Sequence, residues 1–346
     1  MPGFYRLARV DADYPHADRW PERAARARLH FVSGKGGTGK STVAAALALA
    51  LAAGGRRVLL VEVEGRQGIA QLFDRPPLPP TDTRVATAEG GGEVMALALD
   101  TETAFLEYLD MFYNLGFAGR AMRRMGAVDF ATTLAPGLKD VILTGKIKEC
   151  VIRTDDRNRR VYDEVVVDSP PTGRIASFLD VTKAMAELAR GGPVASQSQG
   201  VARLLHSDET VVHLVTLLEA LPVQETRDAI AELTTNDLRI GAVIVNKTTP
   251  GFLPKHAQAA AAKGDVDAEA IRAGLAAVDV KLSDEDFAGL LTETIEHAAT
   301  LEAEKDSAAE LAKTDTARMH LPALTDGIDL GALYELAEVL AEQGVK

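Results

Sequence analysis

Cysteine is almost absent from the sequence, since Cys150 is the only one among 346 residues. A single thiol excludes a disulfide within the chain, and it excludes a metal site built from several cysteines of one chain. Such cysteine usage is compatible with the cytoplasm, which is the predicted location. Long apolar runs are also missing, because no segment approaches the roughly 20 apolar residues that span a bilayer. At most a peripheral association with membranes is expected.

Basic residues are in the minority, with 38 Lys and Arg against 50 Asp and Glu and a formal net charge of −12. This balance does not favour a polyanionic partner, so no nucleic-acid partner is predicted. The arginine clusters within residues 19–28 and 120–124 are interpreted as a solvated tail and a helix face. Apolar residues make up 47% of the chain, which is ample for the core of a soluble globular protein.

Short β-prone runs alternate with helical segments along the chain. Strands are predicted in the runs that begin at Leu29, Arg57, Val94, Tyr162, Val211, Ile240 and Met319. Helices are expected within 181–210 and 255–312 and near the C-terminus, with Ser283 and Asp286 as a capping pair. This alternation predicts an α/β fold with a doubly wound, mostly parallel sheet covered on both faces. In such sheets, ligands bind beyond the carboxyl ends of the strands.

Two segments lie outside this pattern. Residues 1–28, which include the only tryptophan, Trp20, are predicted to be a flexible extension, so that a single domain covers residues 29–346. In residues 101–150, Phe, Leu and Met recur near helical spacing, which predicts a helical subdomain inserted on one side of the sheet. Periodic apolar residues usually form a core, and this interpretation is favoured. The alternative is an adaptable apolar groove, because thioethers repack around varied ligands.

The stretch from Gly34 to Ser41, GKGGTGKS, fits the phosphate-loop pattern GxxxxGK[ST] between a predicted strand and a predicted helix. Backbone N–H groups of such a loop close around phosphate oxygens, and the helix N-terminus favours the anion. Lys40 would contact the β- and γ-phosphates, and the Ser41 hydroxyl would be a ligand of Mg²⁺. The predicted cofactors are therefore ATP and Mg²⁺. The predicted nucleotide-binding residues of this segment are Gly34, Gly36, Gly37, Thr38, Gly39, Lys40, Ser41 and Thr42.

A phosphate site of this type also needs an acidic residue at the end of a neighbouring buried strand. The run VVVDSP supplies one at Asp168. Its carboxylate can hold a water bound to Mg²⁺. Ser41 and Asp168 are therefore the predicted metal-site residues.

Three segments together resemble the ArsA family of ATPases: GKGGTGKS with the additional Lys35, YDEVVVDSPPTGRIASFLD, and VIVN. That family includes arsenite-pump ATPases and the ATPases that escort tail-anchored membrane proteins. The resemblance extends roughly from Leu29 to the C-terminal helix. It implies a dimer, either a homodimer or a heterodimer with a homologous chain. In such a dimer Lys35 would reach across to phosphates bound by the other subunit, which gives it a catalytic role alongside Lys40.

The resemblance also implies further roles in the site. Asn246 matches the family residue that hydrogen-bonds adenine, and Pro322 lies where relatives pack backbone against the same base. Residues 101–150 correspond to the region that binds a client.

The sequence departs from the family pattern at two places. Glu64 stands where the family has an aspartate that positions the attacking water, and Gly65 stands where the family has proline. Glutamate keeps the carboxylate but is longer by one methylene, and a displacement of about 1 Å can slow in-line attack severely. Hydrolysis is therefore expected to be slow or dependent on a partner, with Glu62 as the reserve candidate. The paired cysteines that hold zinc or arsenite in relatives are missing, so neither is predicted.

These observations lead to three alternative hypotheses for the function. The leading hypothesis is a Mg-ATP-dependent dimeric ATPase in which nucleotide state opens and closes two subunits and thereby captures or releases a client. One alternative is a regulatory subunit that binds nucleotide, hydrolyses it little and pairs with a homologous chain. Another is a partitioning or positioning ATPase that acts on membrane or DNA. The acidic polar face of the C-terminal helix argues against this last class, whose members end in a basic amphipathic helix.

Overall fold

The computed structural model describes residues 18–100, 103–104, 138–180, 193–324 and 327–346. Within them, eight strands form one sheet in the order β3-β4-β2-β5-β1-β6-β7-β8. The strands are β1 (Leu29–Gly34), β2 (Arg57–Glu62), β3 (Thr83–Thr87), β4 (Glu93–Ala98), β5 (Glu164–Asp168), β6 (Thr210–Thr216), β7 (Ile240–Thr248) and β8 (Arg318–Pro322).

Helices cover both faces of this sheet. They are α1 (Glu22–Arg26), α2 (Lys40–Ala52), α3 (Gly68–Leu72), α4 (Leu138–Ile152), α5 (Thr172–Leu179), α6 (Pro193–Leu205), α7 (Ala220–Thr235), α8 (Lys255–Ala261), α9 (Ala268–Ala277), α10 (Asp284–Leu311) and α11 (Leu330–Glu342). A search of the described residues finds no helix with the length and apolar character that a membrane span requires.

The predicted sheet is confirmed, because every pairing except that of β3 with β4 is parallel. Strand β1 lies at its centre between β5 and β6, and all residues of β1 and β5 are buried. The chain leaves β1 for β2 on one side and later returns to β6 on the other. This reversal creates a crevice at the carboxyl end of β1, where ligands bind in open α/β sheets. The antiparallel edge strand β3 was not predicted.

Helix α2 is buried around its whole circumference. Its sequence, KSTVAAALALALA, consists mainly of small and apolar residues, and every residue from Val43 to Ala52 is buried between the sheet and α11. Alanine permits close approach and has the highest helix propensity, so both properties favour a helix in this position. Because α2 begins directly after the phosphate loop, its tight packing anchors that loop.

The opposite face of the sheet is covered by helices α4 to α7, which share a second apolar core with β5 and β6. Most of the predicted 101–150 insertion lies outside the described residues, as do 181–192, and α4 accounts for the end of the insertion. The helices expected within 255–312 are α8, α9 and α10. The predicted cap of α10 is confirmed, because Ser283 Oγ accepts a hydrogen bond from the Asp286 backbone N–H at 3.1 Å.

The N-terminal segment differs from its predicted flexibility in the part that the structure describes. Residues 18–28 are packed on the sheet and on the end of α11. The Asp18 N–H donates to O of Arg318 in β8, and the Trp20 N–H donates to O of Gln343, which follows α11, both at 2.9 Å. Trp20 is 7% exposed, and its ring stacks on that of buried His213 with a centroid distance of 4.9 Å. In turn, His213 Nε2 lies 3.1 Å from Nδ1 of His30 in β1. The stacked rings of His213 and His30, covered by the Trp20 ring, therefore hold residues 18–28 against the sheet.

Truncation of Trp20 tests this packing. Trp20→Ala is expected to lower the free energy of unfolding by about 3 kcal/mol, because it removes a buried aromatic side chain and exposes the histidine pair. Chemical denaturation followed by far-UV circular dichroism measures the change. Trp20→Phe, which keeps a ring on His213, is expected to lose less than half as much. Equal stabilities for the Ala variant and the wild type would contradict the packing.

Candidate functional site

The loop after β1 is closed by backbone contacts around Lys35. Thr38 donates twice to the Lys35 carbonyl, from its backbone N–H at 3.3 Å and from Oγ1 at 2.8 Å. Gly39 then precedes α2 with φ of +88°, which glycine adopts without steric cost. A Cβ on Gly39 would lie 2.4 Å from Asn246 Nδ2. The compact turn requires glycine at this position.

The middle of the loop is open on one side. A Cβ added to Gly36 or Gly37 would meet no atom within 4 Å, whereas one on Gly34 would lie 2.3 Å from Val215 O. The loop thus has a packed base on β6 and an open rim that precedes the N-terminus of α2. Backbone amides and the positive end of a helix dipole favour an anion such as phosphate there.

Ser41 and Asp168 meet across this crevice, as the sequence predicts. Ser41 Oγ donates to Asp168 Oδ2 at 2.6 Å. Asp168 is the last residue of β5, and it is in register with Val32 on one side and Glu62 on the other. Asp168 Oδ1 is buried and accepts no hydrogen bond within the part of the chain that the structure describes. One carboxylate oxygen and one hydroxyl are therefore available to a cation or its bound water.

Asp168 is electrostatically perturbed. Burial raises its pKa to about 6, and the negative charges of Glu62 and Glu64 act in the same direction. The Ser41 hydroxyl and the Lys40 ammonium oppose this shift by stabilising the carboxylate. A buried acid beside two further acids is a site that a positive ion would stabilise, and such perturbed groups concentrate at functional sites.

Glu64 follows β2 and lies at the edge of the crevice. It is close enough to Asp168 to raise the pKa of that group, and its Oε2 lies 3.5 Å from Nη2 of Arg66. Its side chain is 22% exposed, and the next residue, Gly65, has φ of +65°. The carboxylate therefore stands on a sharp turn, partly in solvent and beside a guanidinium.

Lys35 is directed towards α7. Its Nζ lies 2.8 Å from Oε1 of Glu225, in a pair whose two side chains are 31% and 36% exposed. Exposed pairs of this kind contribute only about 0–1 kcal/mol, so the pair can be broken at low cost. Glu225 was not predicted, because an acidic residue in an ordinary helix carries no sequence signal.

Asn246 and Pro322 lie at the carboxyl ends of β7 and β8, on the edge of the sheet that carries the loop. The Asn246 side chain is buried, and its Nδ2 donates to Thr38 O at 2.8 Å. Pro322 is in register with Thr248 and is half-buried. Asn246 thus supports the loop directly, while a contact of either residue with adenine stays a prediction.

Comparison with known proteins identifies relatives that cover most of the chain. The sequence model of the anion-transporting ATPase family, ArsA ATPase, matches residues 27–191. ATPase BagA of Mycobacterium tuberculosis is 65% identical over 327 residues, which cover 94% of this chain and 96% of that protein. The chain belongs to the ArsA ATPase family. It is accordingly an ATP hydrolase, as the loop and Asp168 indicate.

More distant relatives carry other names. ATPase GET3 of Kluyveromyces lactis is 23% identical over 254 residues, which cover 64% of this chain and 72% of that protein. A protein of Aquifex aeolicus named as an arsenical pump-driving ATPase is 23% identical over 253 residues, with 64% and 81% covered. The resemblance to the ArsA family is thus confirmed, and the family spans differently named ATPases.

The perturbed carboxyl group predicts a pH-dependent stability. The folded-state pKa of Asp168 is about 6, above the ordinary value of 3.8. Folding therefore favours the protonated form, and the ionised form opposes folding increasingly as pH rises from about 4 to 6. Asp168→Asn is expected to stabilise the nucleotide-free, metal-free protein by about 3 kcal/mol at pH 8 and by little near pH 4.

Denaturant unfolding at the two pH values measures this difference. Asp208→Asn is a suitable control, because Asp208 is 90% exposed and is expected to change stability little at either pH. A destabilising effect of Asp168→Asn at pH 8 would contradict the account.

Proposed function

We propose that the chain is a Mg-ATP-dependent ATPase that works as a dimer, in which nucleotide binding closes two subunits face to face. The observation that carries the proposal is the position of Lys35. Its backbone is part of the phosphate loop, but its side chain is held by a carboxylate on α7. Lys40 already supplies the lysine that the loop requires in cis. Lys35 is therefore not required as the loop lysine of its own subunit, and it can serve phosphates bound elsewhere once its ion pair with Glu225 is broken.

Mg²⁺ fits the residues at the base of the crevice. Hard cations of this kind prefer oxygen ligands. Ser41 Oγ is such an oxygen, and so is Asp168 Oδ1, which has no partner within the described part of the chain. Ser41 would be a direct ligand, and Asp168 would hold a water of the ion. When bound, Mg²⁺ would neutralise charge that develops on the β- and γ-phosphates.

Lys35 is proposed to act in the partner's site. A closed dimer would bring each Lys35 near the phosphates of the other subunit, where its ammonium stabilises the charge of the transition state. The ion pair with Glu225 is weak enough for a polyanionic phosphate group to displace. Glu225 would then hold Lys35 in the open state and release it on closure.

Glu64 is proposed to orient the attacking water. Its carboxylate lies near Asp168 and on the rim of the crevice, as such a role requires. Its proximity to Arg66 and its partial exposure also support a low basal rate that closure would increase. The alternative of a regulatory subunit paired with a homologous chain is favoured by the same observation, and basal turnover distinguishes the two.

Nucleotide state is proposed to reach a client through α4 and α5. Helix α5 follows the Asp168 turn. Burial raises the pKa of Asp140 in α4, and Arg174 at the start of α5 lies close enough to that carboxyl to oppose the shift. A shift of the turn would therefore be transmitted to α4, which forms the end of the 101–150 segment assigned to client binding. The single buried thiol of Cys150 gives no support to an arsenical ligand.

A mixing experiment tests the proposed action of Lys35 in trans. Lys35→Ala and Lys40→Ala chains are each expected to lose at least about 10³-fold in turnover, comparable with the loss of an arginine finger. In an equimolar mixture, a mixed dimer holds one intact loop that faces an intact Lys35. Turnover is therefore expected to recover to a sizeable fraction of the wild-type value in a steady-state phosphate-release assay.

Each variant mixed with the wild type controls for chain exchange. No recovery in the mixture, despite exchange shown by these controls, would show that Lys35 acts in cis or not at all.

Substitution of Glu64 tests the proposed water-positioning role. Glu64→Gln is expected to reduce kcat by about 10²-fold or more with little change in ATP affinity, because a neutral amide holds and orients the water less strongly than a carboxylate does. Glu64→Asp restores the shorter side chain that the family pattern has at this position and is expected to retain turnover. If Glu64→Gln turns over at the wild-type rate, the role belongs to another residue.

A further inference from the structure

Glu62 is a buried carboxylate beside Asp168. It is the last residue of β2, it is 2% exposed, and it pairs in register with Asp168 across two parallel strands. Neighbouring strands lie about 4.8 Å apart, and residues in register project from the same face. The sequence suggested Glu62 only as a substitute for Glu64. Its position beside Asp168 indicates a different role.

In each of the two carboxylates, one oxygen accepts a hydrogen bond from a described residue and the other does not. Glu62 Oε2 accepts a hydrogen bond from the Ile69 N–H at 3.2 Å, and Asp168 Oδ2 accepts one from Ser41. Glu62 Oε1 and Asp168 Oδ1 are buried and have no hydrogen-bond partner among the described residues. An unpaired buried carboxylate oxygen is costly, and two adjacent carboxylates repel each other. Both costs are removed by a cation that both groups face.

We infer that Glu62 is a second acidic group of the Mg²⁺ site, so that the ion is held by two carboxylates in addition to the Ser41 hydroxyl. This inference rests on the proposed Mg-ATP function. Mg²⁺ keeps several of its waters in protein sites, and Glu62 contributes through its Oε1, either to the ion or to one of these waters. The site then has stronger metal binding than Asp168 alone would supply.

A purely structural role for Glu62 would be to accept the Ile69 N–H at the start of α3. Glu62→Gln separates the two roles, because the amide oxygen still accepts that hydrogen bond while the negative charge is lost. Glu62→Asp keeps the charge but moves it back by one methylene. Metal affinity therefore distinguishes the roles, and turnover is not needed as the readout.

The test is Mn²⁺ binding to the full chain saturated with a non-hydrolysable ATP analogue, with free Mn²⁺ measured by electron paramagnetic resonance. Glu62→Gln is expected to weaken Mn²⁺ binding by about tenfold or more. Asp168→Asn is expected to weaken it as well. Glu164→Gln is the matched control, because Glu164 is also a buried carboxylate but lies at the opposite end of β5. The Mn²⁺ affinity of this variant should equal that of the wild type. Metal-free binding of the analogue should be no weaker in Glu62→Gln.

The possible outcomes distinguish a failure of this inference from a failure of the proposed Mg-ATP function on which it rests. Wild-type Mn²⁺ affinity in Glu62→Gln together with weakened affinity in Asp168→Asn would overturn the role of Glu62 and leave the Mg²⁺ site in place. Wild-type affinity in both would overturn the Mg²⁺ site itself. If Glu62→Gln does not purify as a folded chain, Glu62→Asp is measured against the wild type. A fall of about threefold or more is then expected, and an unchanged affinity would contradict the inference.

Discussion

The hydrogen bond from Ser41 to Asp168 is the contact on which the arrangement of this site depends. It joins the first turn of α2 to the end of β5. The phosphate loop is thereby linked to a strand that lies 127 positions further along the chain. Both partners are held by packing, since α2 is buried on all sides and β5 has no exposed residue. The loop, the acidic cluster and the turn into α5 are consequently fixed relative to one another before any nucleotide binds.

Because these elements are held rigidly, the carboxylates of Glu62, Glu64 and Asp168 cannot move apart to relieve their mutual repulsion. Three carboxylates lie close together at the ends of β2 and β5, and burial raises the pKa of Asp168 to about 6. A site optimised for stability alone would contain an amide or an apolar side chain there. Retention of these charges is understandable if a cation and a triphosphate complete the site. Stability of the free protein is thus exchanged for affinity in the bound state.

Local signals predicted the parts of the molecule that local chemistry determines. The phosphate loop, Asp168, the parallel strands and the cap at Ser283 were all readable, because each depends on a few adjacent residues with characteristic chemistry. Parts determined by distant contacts were not. Strand β3 is a five-residue strand that, among the described residues, pairs with β4 alone. The segment around Trp20 resembled a mobile tail because the histidines that it covers are on β1 and β6, far along the chain.

The same distinction applies within the site. The place of Lys35 in the loop is evident from the sequence, but its ion pair with Glu225 joins residues separated by 190 positions. The sequence indicates Glu62 only because it lies two residues before Glu64 on the same predicted strand. Its pairing with Asp168 requires knowledge that β2 lies next to β5, which follows from the strand order and not from either segment alone.

The central claim is that two chains must meet for efficient hydrolysis, and the dependence of turnover on protein concentration tests it most directly. Steady-state ATP turnover per chain is measured at saturating Mg-ATP from nanomolar to micromolar protein, with sedimentation velocity in the presence of a non-hydrolysable analogue. The account predicts that turnover per chain rises with concentration and levels off as the analogue-bound dimer becomes the dominant species. Constant turnover per chain from a species that sediments as a monomer throughout would contradict it.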